Sequence, residues 1–146
     1  MNVQSILSAK GSEVATIRPG ATLADATAQL RERGFGALVA SDDGASLDGI
    51  VSERDIVRAL AADGTGALER DVASVMSADV VTCAPNDPVE VLMAMMTERR
   101  IRHLPVLDAG GAIAGMISIG DVVKFRLEQL ERENSQLHDY IRGALQ

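Results

Sequence analysis

The chain of 146 residues has very few aromatic side chains: two Phe, one Tyr and no Trp. It therefore lacks the stacked aromatic surface on which many proteins bind single-stranded nucleic acid. Fourteen Lys and Arg residues are outnumbered by 21 Asp and Glu, which gives a net charge of −7. Binding to a nucleic-acid backbone or to an anionic membrane needs a positive field. We expect neither partner, and any anionic ligand must be held by a local group of cations.

The chain is also poor in cysteine and in long apolar runs. The single Cys83 cannot form an intramolecular disulfide, which is typical of proteins in a reducing compartment. The longest uninterrupted apolar stretch covers residues 91–96, whereas a membrane-spanning helix needs about 20 apolar residues. The N-terminus has no apolar segment of the kind found in signal peptides. These absences predict a cytoplasmic protein.

What the chain does have is an internal repeat. When the sequence is offset by 66 residues, residues 16–58 align with residues 82–124 without a gap, and 12 of the 43 aligned positions are identical. Two copies are too few for a solenoid, in which three or more units share a continuous core. Each half also buries too little apolar surface to be stable alone. We therefore predict two halves that pack on each other about a pseudo-twofold axis.

Both copies follow the same predicted order of strands and helices. Apolar β-branched runs and Asp/Gly turns predict strands at residues 14–17, 37–40, 47–51, 104–107 and 113–117. Helices are predicted after Thr22, after Asp87, at about 53–62 and from about Gly120 onward, with short helical segments at 3–9 and 72–78 and a linker at 63–66. The sequence therefore predicts an α+β fold in which the order β-α-β-β-α occurs twice, with an extended C-terminal helix.

The first helix within each copy is started by different residues. Thr22 and Asp25 have the spacing of a capping box, in which each side chain bonds the backbone N–H of the other residue. In the second copy Asp87 is the predicted N-cap. Pro88 is then the first helical residue, where the missing N–H of proline is not needed.

The last strand of each copy meets the last helix at a motif of the form Gly, any residue, hydrophobic, Ser or Thr, any two residues, Asp. It occupies residues 49–55 and 115–121. With this motif at matching places in both copies, the chain resembles the tandem CBS domain, or Bateman module, over nearly its whole length. The resemblance is to a stand-alone pair. It implies a first CBS repeat with its leading helix and linker at residues 1–66, a second repeat at 67–125 and a helical extension at 126–146.

The resemblance implies that an adenosine nucleotide binds between the repeats, with AMP as the first expectation and ATP, ADP, NAD or S-adenosylmethionine as related ligands. The motif residues suit that ligand. Ser52 and Ser118 precede helix N-termini, where free backbone N–H groups favour a phosphate. Asp55 and Asp121 lie one turn further on and can accept the hydrogen bonds of a ribose diol. The alternative is that each Ser only caps its helix and each Asp is a first-turn carboxylate.

The resemblance implies one ligand site at each motif Asp. The Asp121 site is predicted to consist of Ala15, Thr16, Phe35, Gly36, Ala37, Arg102, His103, Ser118 and Asp121. The Asp55 site is predicted to consist of Ser52, Arg54, Asp55, Val81, Thr82 and Ile101.

Cations distinguish the two predicted sites. Arg102 and His103 stand where the first copy has Gly and Ala, and charge-assisted hydrogen bonds are roughly twice as strong as neutral ones. We therefore expect AMP to enter the Asp121 site first. The alternative for His103 is a strand histidine packed against its neighbours. Arg54 is either the phosphate ligand of the Asp55 site or an exposed helix cation beside Glu53.

The C-terminal helix carries an apolar pattern of its own. Val123, Leu127, Leu130, Leu137 and Ile141 follow spacings of four and three residues, and Asn134 completes the series. This is the a/d pattern of a coiled coil, in which a buried Asn fixes the register. The pattern favours contact with a partner, and the family resemblance implies a homodimer. The alternative is an amphipathic helix that lies on its own domain.

The sequence predicts a sensor rather than an enzyme, with no required cofactor and no metal. Cys83, His103 and His138 match no nucleophile motif, His and Cys are too few for a structural zinc site, and glycine-rich phosphate motifs are absent. A nucleotide-processing enzyme and a regulator that contacts nucleic acid are the alternatives. The protein that the sensor would regulate is not identified by the sequence.

Overall fold

The computed structural model describes residues 1–145. Its α-helices are α1 (Val3–Lys10), α2 (Leu23–Arg33), α3 (Glu53–Asp63), α4 (Val89–Arg99) and α5 (Ile119–Leu145). Its strands are β1 (Thr16–Ile17), β2 (Ala37–Ala40), β3 (Gly49–Ser52), β4 (His103–Leu107) and β5 (Ile113–Ser118). The predicted α+β class with a long C-terminal helix is confirmed.

Each copy contributes a small sheet. In the first copy, β1 pairs with β2 in parallel and β2 pairs with β3 in antiparallel orientation, with Ala37 opposite Ser52. In the second copy, β4 and β5 form an antiparallel pair with His103 opposite Ser118. These two residue pairs are related by the repeat offset. The two hairpins therefore have the same register at the motif.

The parallel strand of the second copy is reduced to a single bridge at Cys83. In the first copy, the Val39 N–H donates to the Ala15 carbonyl oxygen at 3.1 Å. The second copy has Pro105 at the position of Val39, and proline has no N–H to donate. The next bond of the ladder persists at 2.9 Å in both copies, so the segment at Cys83 still lies beside its sheet.

The segments that lead into the two copies are exchanged in the packing. Helix α1 precedes the first copy along the chain, but its Val3, Ile6 and Leu7 are buried in the core of the second copy. Val72 precedes the second copy and is buried in the core of the first. The predicted division at residue 66 thus describes sequence units, whereas α1 packs with the second unit.

Each motif glycine lies where one of these exchanged segments crosses a sheet. A Cβ at Gly115 would lie 2.7 Å from Cδ2 of Leu7, and a Cβ at Gly49 would lie 2.7 Å from Sδ of Met76 and 2.8 Å from the carbonyl oxygen of Ser77. Glycine in a strand often marks such a close approach. The glycine at the first position of the motif therefore allows a segment of the other copy to pack closely against the sheet.

Helix α2 begins as predicted and α4 does not. The Asp25 N–H donates to Oγ1 of Thr22, and the Thr22 N–H donates to Oδ2 of Asp25, each at 3.1 Å, so the capping box is confirmed. The N-cap of α4 is Pro88, and the prediction of Asp87 was wrong. The Asp87 carboxylate instead accepts a hydrogen bond from the Ala84 N–H at 2.9 Å and closes the turn before the helix.

The connection between the copies is more ordered than the predicted linker. Residues Gly64–Glu69 form a 3₁₀ helix in which Ala67 is buried in the first core. The predicted helical segment at 72–78 contains a 3₁₀ helix only at Val72–Ser74. The connection therefore contributes to the packing of the first copy.

Helix α5 begins on the domain and then leaves it. Val122 is buried and Phe125 packs against the second core, whereas every residue from 131 to 144 is exposed. The alternative in which the C-terminal helix lies along its own domain is therefore wrong for residues 131–144.

Candidate ligand-binding clefts

Two clefts lie between the copies, one at each motif Asp. The Asp121 cleft has a volume of about 290 Å³ and is lined by Lys10, Glu13, Val14, Ala15, Gly34, Phe35, Gly36, Ala37, His103, Met116, Ser118 and Asp121. The Asp55 cleft has a volume of about 560 Å³ and is lined by Gly36, Ile50, Ser52, Glu53, Arg54, Asp55, Arg58, Ser77, Arg99, Arg100, Ile101, Arg102 and His103. Gly36 and His103 line both clefts, which therefore adjoin.

The boundary between the clefts is a close contact of these two shared residues. A Cβ at Gly36 would lie 3.3 Å from Cε1 of His103, so the imidazole packs against the glycine backbone. The repeat places matching backbone bonds on the two sides. The Glu53 N–H donates to the Gly36 carbonyl oxygen at 3.0 Å, and the Ile119 N–H donates to that of Arg102 at 2.8 Å. In each copy, the first residue of the motif helix is thus bonded to the residue just before the middle strand, and that residue lines a cleft.

Both motifs form capping boxes. The Asp55 N–H donates to Oγ of Ser52 at 3.3 Å, and the Ser52 N–H donates to Oδ2 of Asp55 at 2.8 Å. Ser118 and Asp121 repeat this arrangement at 3.2 and 2.8 Å. The Ser and Asp therefore do cap the helices, which is what the alternative to ligand binding predicted for them. Among the described residues only Oδ2 of each carboxylate accepts these bonds, so Oδ1 is left for a ligand and the two roles are compatible.

The Asp121 cleft already contains a cation supplied by the protein. Lys10, at the end of α1, donates to Oδ2 of Asp121 at 2.6 Å and to the carbonyl oxygen of Met116 at 2.7 Å. Burial acts to raise the pKa of Asp121, but the hydrogen bonds from Lys10 and Ser118 outweigh it and hold that pKa below its ordinary value. Asp121 is therefore ionised at neutral pH, and Lys10 balances its charge.

His103 contributes hydrogen bonding rather than charge. Burial lowers the pKa of its imidazole, although the carboxylates of Glu53 and Asp121 oppose this effect. The positive charges of Arg102 and Lys10 lower the pKa further. His103 is therefore mainly neutral at pH 7, with one ring nitrogen as a donor and the other as an acceptor.

Most of the positively charged residues in the two clefts line the Asp55 cleft. Its lining includes Arg54, Arg58, Arg99, Arg100 and Arg102. Arg102, which was predicted for the Asp121 site, lines the Asp55 cleft instead. Guanidinium groups bind phosphate oxygens in a bidentate manner. In a chain of net charge −7, this cleft is the local group of cations that an anionic ligand requires.

One of these arginines has an unusual backbone. Arg100 has φ 54° and ψ 42°, and it is the only residue other than glycine with positive φ among the described residues. The first copy has Gly34 at this position, with φ 69° and ψ 27°. The left-handed conformation costs a residue with a Cβ about 1–2 kcal/mol. The second copy thus carries backbone strain at a residue that lines the Asp55 cleft.

Most predicted site residues line the cleft to which they were assigned. In the Asp121 cleft these are Ala15, Phe35, Gly36, Ala37, His103, Ser118 and Asp121. In the Asp55 cleft they are Ser52, Arg54, Asp55 and Ile101. Besides Arg102, three residues fall elsewhere. Thr16 lines a separate open groove beside α2. Val81 packs against the second core, and Thr82 lies outside the lining of both clefts.

Several residues that line the clefts were not predicted from the sequence. Arg58 had a recognisable signal, because it lies four residues after Arg54 and hence on the same face of α3. Arg99 and Arg100 lie at the end of α4, where cations are also explained by the helix dipole. Lys10 had no signal, because nothing in the sequence shows that α1 packs on the second copy.

The single cysteine is not a reactive thiol, and the described residues contain no candidate metal site. Burial, together with the charge of Asp87, raises the pKa of Cys83 to about 12, so this thiol is not ionised at neutral pH. Within residues 1–145, no cluster of three or more His, Cys, Asp or Glu side chains could hold a metal ion. No helix in that range has both the length and the apolar composition needed to cross a membrane.

Solved structures share both the fold and part of the sequence. The CBS-domain containing protein ATU1752 from Agrobacterium tumefaciens is 41% identical, with a TM-score of 0.81, and the match covers 86% of this chain and 98% of that one. The CBS domain protein PAE2072 from Pyrobaculum aerophilum, solved in complex with AMP, is 26% identical, with a TM-score of 0.75 and coverage of 83% and 89%.

A eukaryotic relative is also similar. The mitochondrial CBS domain-containing protein CBSX3 of Arabidopsis thaliana is 36% identical over 127 residues, which are 84% of this chain and 61% of the plant protein. The chain therefore spans less than two thirds of the length of that relative.

The model of the CBS domain family matches two segments, residues 7–62 and 72–128. The first segment contains the motif at Ser52 and Asp55, and the second contains the motif at Ser118 and Asp121. The matched segments together cover well over half of the chain. The chain therefore belongs to the CBS domain family and carries two CBS domains in tandem.

Proposed function

We propose that this CBS pair is a regulatory module that binds an adenosine nucleotide, with AMP as the first candidate, in the clefts between its two domains. One observation carries the proposal: each motif brings a helix N-terminus, a Ser hydroxyl and a carboxylate oxygen to the edge of a cleft. Of the first three N–H groups of each motif helix, only that of Arg54 or Gly120 has no partner among the described residues. A free N–H at a helix N-terminus favours a phosphate, and a carboxylate accepts hydrogen bonds from ribose hydroxyls. The AMP complex of the Pyrobaculum relative supports this ligand class.

The Asp55 cleft is the proposed primary site, which reverses the order predicted from the sequence. That prediction assigned Arg102 to the Asp121 site, whereas five arginines, Arg102 among them, line the Asp55 cleft. In the smaller Asp121 cleft, the charge of the carboxylate is already balanced by Lys10, which bonds its Oδ2. The number of arginines also suits ligands with more than one phosphate, so ADP and ATP are candidates beside AMP. NAD and S-adenosylmethionine remain further candidates.

The nucleotide would act by changing the relation between the two domains or between two protomers. A ligand shifts such an equilibrium only if it binds one arrangement more tightly than the other. The module is proposed to work in the cytoplasm, as a homodimer and without turnover, and to pass its state to a regulated protein of unknown identity.

Calorimetric titration of AMP into matched variants tests the proposal. Asp55→Ala and Asp121→Ala each remove the carboxylate of one motif and the same capping contact, and Asp121→Ala also removes the ion pair with Lys10, so thermal unfolding of each variant accompanies the titration. We expect Asp55→Ala to weaken the tighter binding phase by about tenfold or more, which is about 1.4 kcal/mol. Asp121→Ala should leave that phase nearly unchanged.

Three outcomes would count against this assignment. Loss of the tighter phase in Asp121→Ala alone would make the Asp121 cleft the primary site. Binding that neither variant changes would remove both carboxylates from the ligand site. Conversion of AMP during long incubation of the wild-type protein with magnesium would favour an enzyme over a sensor.

A further inference from the structure

A row of apolar side chains on α5 is exposed in the single chain. The row consists of Val123, Leu127, Leu130, Leu137 and Ile141, with exposed fractions of 50%, 55%, 43%, 56% and 46%. Together with Asn134, these residues form the α5 stripe. The helix contacts its own domain through other residues, since Val122 is buried and Phe125 packs against the second core. The stripe is therefore free to contact a partner.

The stripe is long, and it faces away from the domain. At about 1.5 Å per residue, the 18 steps from Val123 to Ile141 span roughly 27 Å. Successive helix residues are about 100° apart, which places the centre of the stripe about 100° around the helix from Val122 and about 160° from Phe125. An isolated helical segment of this size is marginal in water. The exposed end of α5 therefore needs a partner if it is to remain helical.

We propose that the α5 stripe pairs with the α5 stripe of a second copy in a parallel, in-register, two-stranded coiled coil. Spacings of four and three residues place Leu127, Asn134 and Ile141 at a positions. Val123, Leu130 and Leu137 then occupy d positions, and leucine at d is common in parallel dimers.

Asn134 supports a parallel pair. In a parallel, in-register dimer each a position faces the same a position of the partner, so two Asn134 amides meet and can hydrogen-bond to each other. A single buried Asn at an a position is known to fix the register and the number of strands. In an antiparallel pair the a position faces d, and Asn134 would lie against Leu130. A buried amide without a partner costs about 1–3 kcal/mol.

The charged residues beside the stripe indicate that its partner is a second copy of this chain. In a parallel pair, each g position faces the e position five residues later on the other helix. Arg126 then faces Glu131, and Glu133 faces His138, whose ring N–H can donate to the carboxylate. The antiparallel alignment that matches the apolar positions would instead set Glu131 against Glu131 and Glu133 against Glu133. The helix is thus complementary to itself in the parallel orientation only.

Disulfide trapping tests the orientation. The native Cys83 is buried, so a cysteine introduced on α5 is the main reactive thiol. We expect Asn134→Cys to form an interchain disulfide under mild oxidation, because facing a positions bring the two Cα atoms into the bonding range of about 4.4–6.8 Å. Ser135→Cys, one residue further on and outside the stripe, should remain reduced. Failure of Asn134→Cys to cross-link, or equal cross-linking of both variants, would overturn the proposal.

Sedimentation tests whether the stripe contributes to association. Leu130→Asp combined with Leu137→Asp should raise the dimer dissociation constant at least tenfold at micromolar protein. The variant should stay folded, because neither leucine belongs to a core of the domain. Glu128→Gln combined with Arg132→Gln, on the opposite side of the helix, is the matched control. A double Asp variant that is folded and associates as strongly as wild type, or a monomeric wild-type protein, would contradict the proposal.

Discussion

Arg100 has an unfavourable backbone conformation and carries a positive charge at the edge of the Asp55 cleft. Its left-handed conformation is one that glycine adopts freely, and the first copy has Gly34 there. Arg100→Gly should therefore stabilise the fold by about 1 kcal/mol and raise the melting temperature. The same change removes a guanidinium from the Asp55 cleft, so affinity for AMP should fall several-fold. Calorimetry and thermal unfolding of the same sample measure both effects.

The control for Arg100→Gly is Arg31→Ala. Arg31 is an exposed residue of α2 that lines neither cleft, and its removal changes the net charge by the same amount. It should leave AMP affinity unchanged. If both variants weaken binding equally, the arginines act only through the overall field. If Arg100→Gly lowers stability, the strain argument fails.

The Lys10–Asp121 pair predicts a pH-dependent stability. The pKa of Asp121 in the folded protein lies below its ordinary value, so the pair stabilises the fold above that ordinary value and is lost as the pH falls through the folded pKa. Both side chains are partly exposed, at 34% and 23%, so we expect an effect of about 1 kcal/mol or less. The stability difference between wild type and Lys10→Met should therefore be largest near pH 7 and shrink below about pH 4.

Lys124→Met is the control for this experiment. Lys124 lies on the same helix as Asp121 and is exposed, and it forms no ion pair among those found in the described residues. Its stability difference from wild type should not follow the titration of Asp121. A constant difference between wild type and Lys10→Met across this pH range would mean that Lys10 acts through its bond to the Met116 carbonyl oxygen alone.

At the level of helices and strands, the Ser and Asp of each motif both cap a helix and line a cleft. Ser52 and Asp55 close a capping box at the start of α3, and the same residues line a cleft. A capping residue stabilises a helix by about 0.5–2 kcal/mol. The Ser and Asp of this motif are therefore useful to the fold without any ligand. For this reason their presence alone does not establish a binding site, and it is their position at the edge of a cleft that supports one.

Elements encoded by neighbouring residues were predictable from the sequence, and contacts between distant segments were not. The two hairpins and the capping box of Thr22 depend on local spacing, and the structure has them. The crossing of α1 to the second core depends on the contact of Leu7 with Gly115, more than 100 residues away. The same limit applies to Arg102, which was predicted for the Asp121 site and lines the Asp55 cleft. Which side of a segment faces which cleft is decided by tertiary packing.

For the whole molecule, the exchanged segments make the two domains interdependent. Helix α1 supplies Leu7 to the second core and Lys10 to the Asp121 cleft, and it also leads into the first domain. A displacement of α1 would therefore change the second core and the Asp121 cleft together.

This exchange predicts that a substitution ahead of the first domain will weaken the second. Leu7→Ala should leave a cavity in the second core and cost about 2–5 kcal/mol. Amide hydrogen exchange should accelerate more in β4 and β5 than in β2 and β3, because local stability follows local packing. Ser8→Ala, at an exposed position of the same helix, should change neither sheet. Faster exchange confined to β2 and β3 would mean that α1 belongs to the first domain in solution, and equal acceleration in both sheets would mean that the two domains unfold as one cooperative unit.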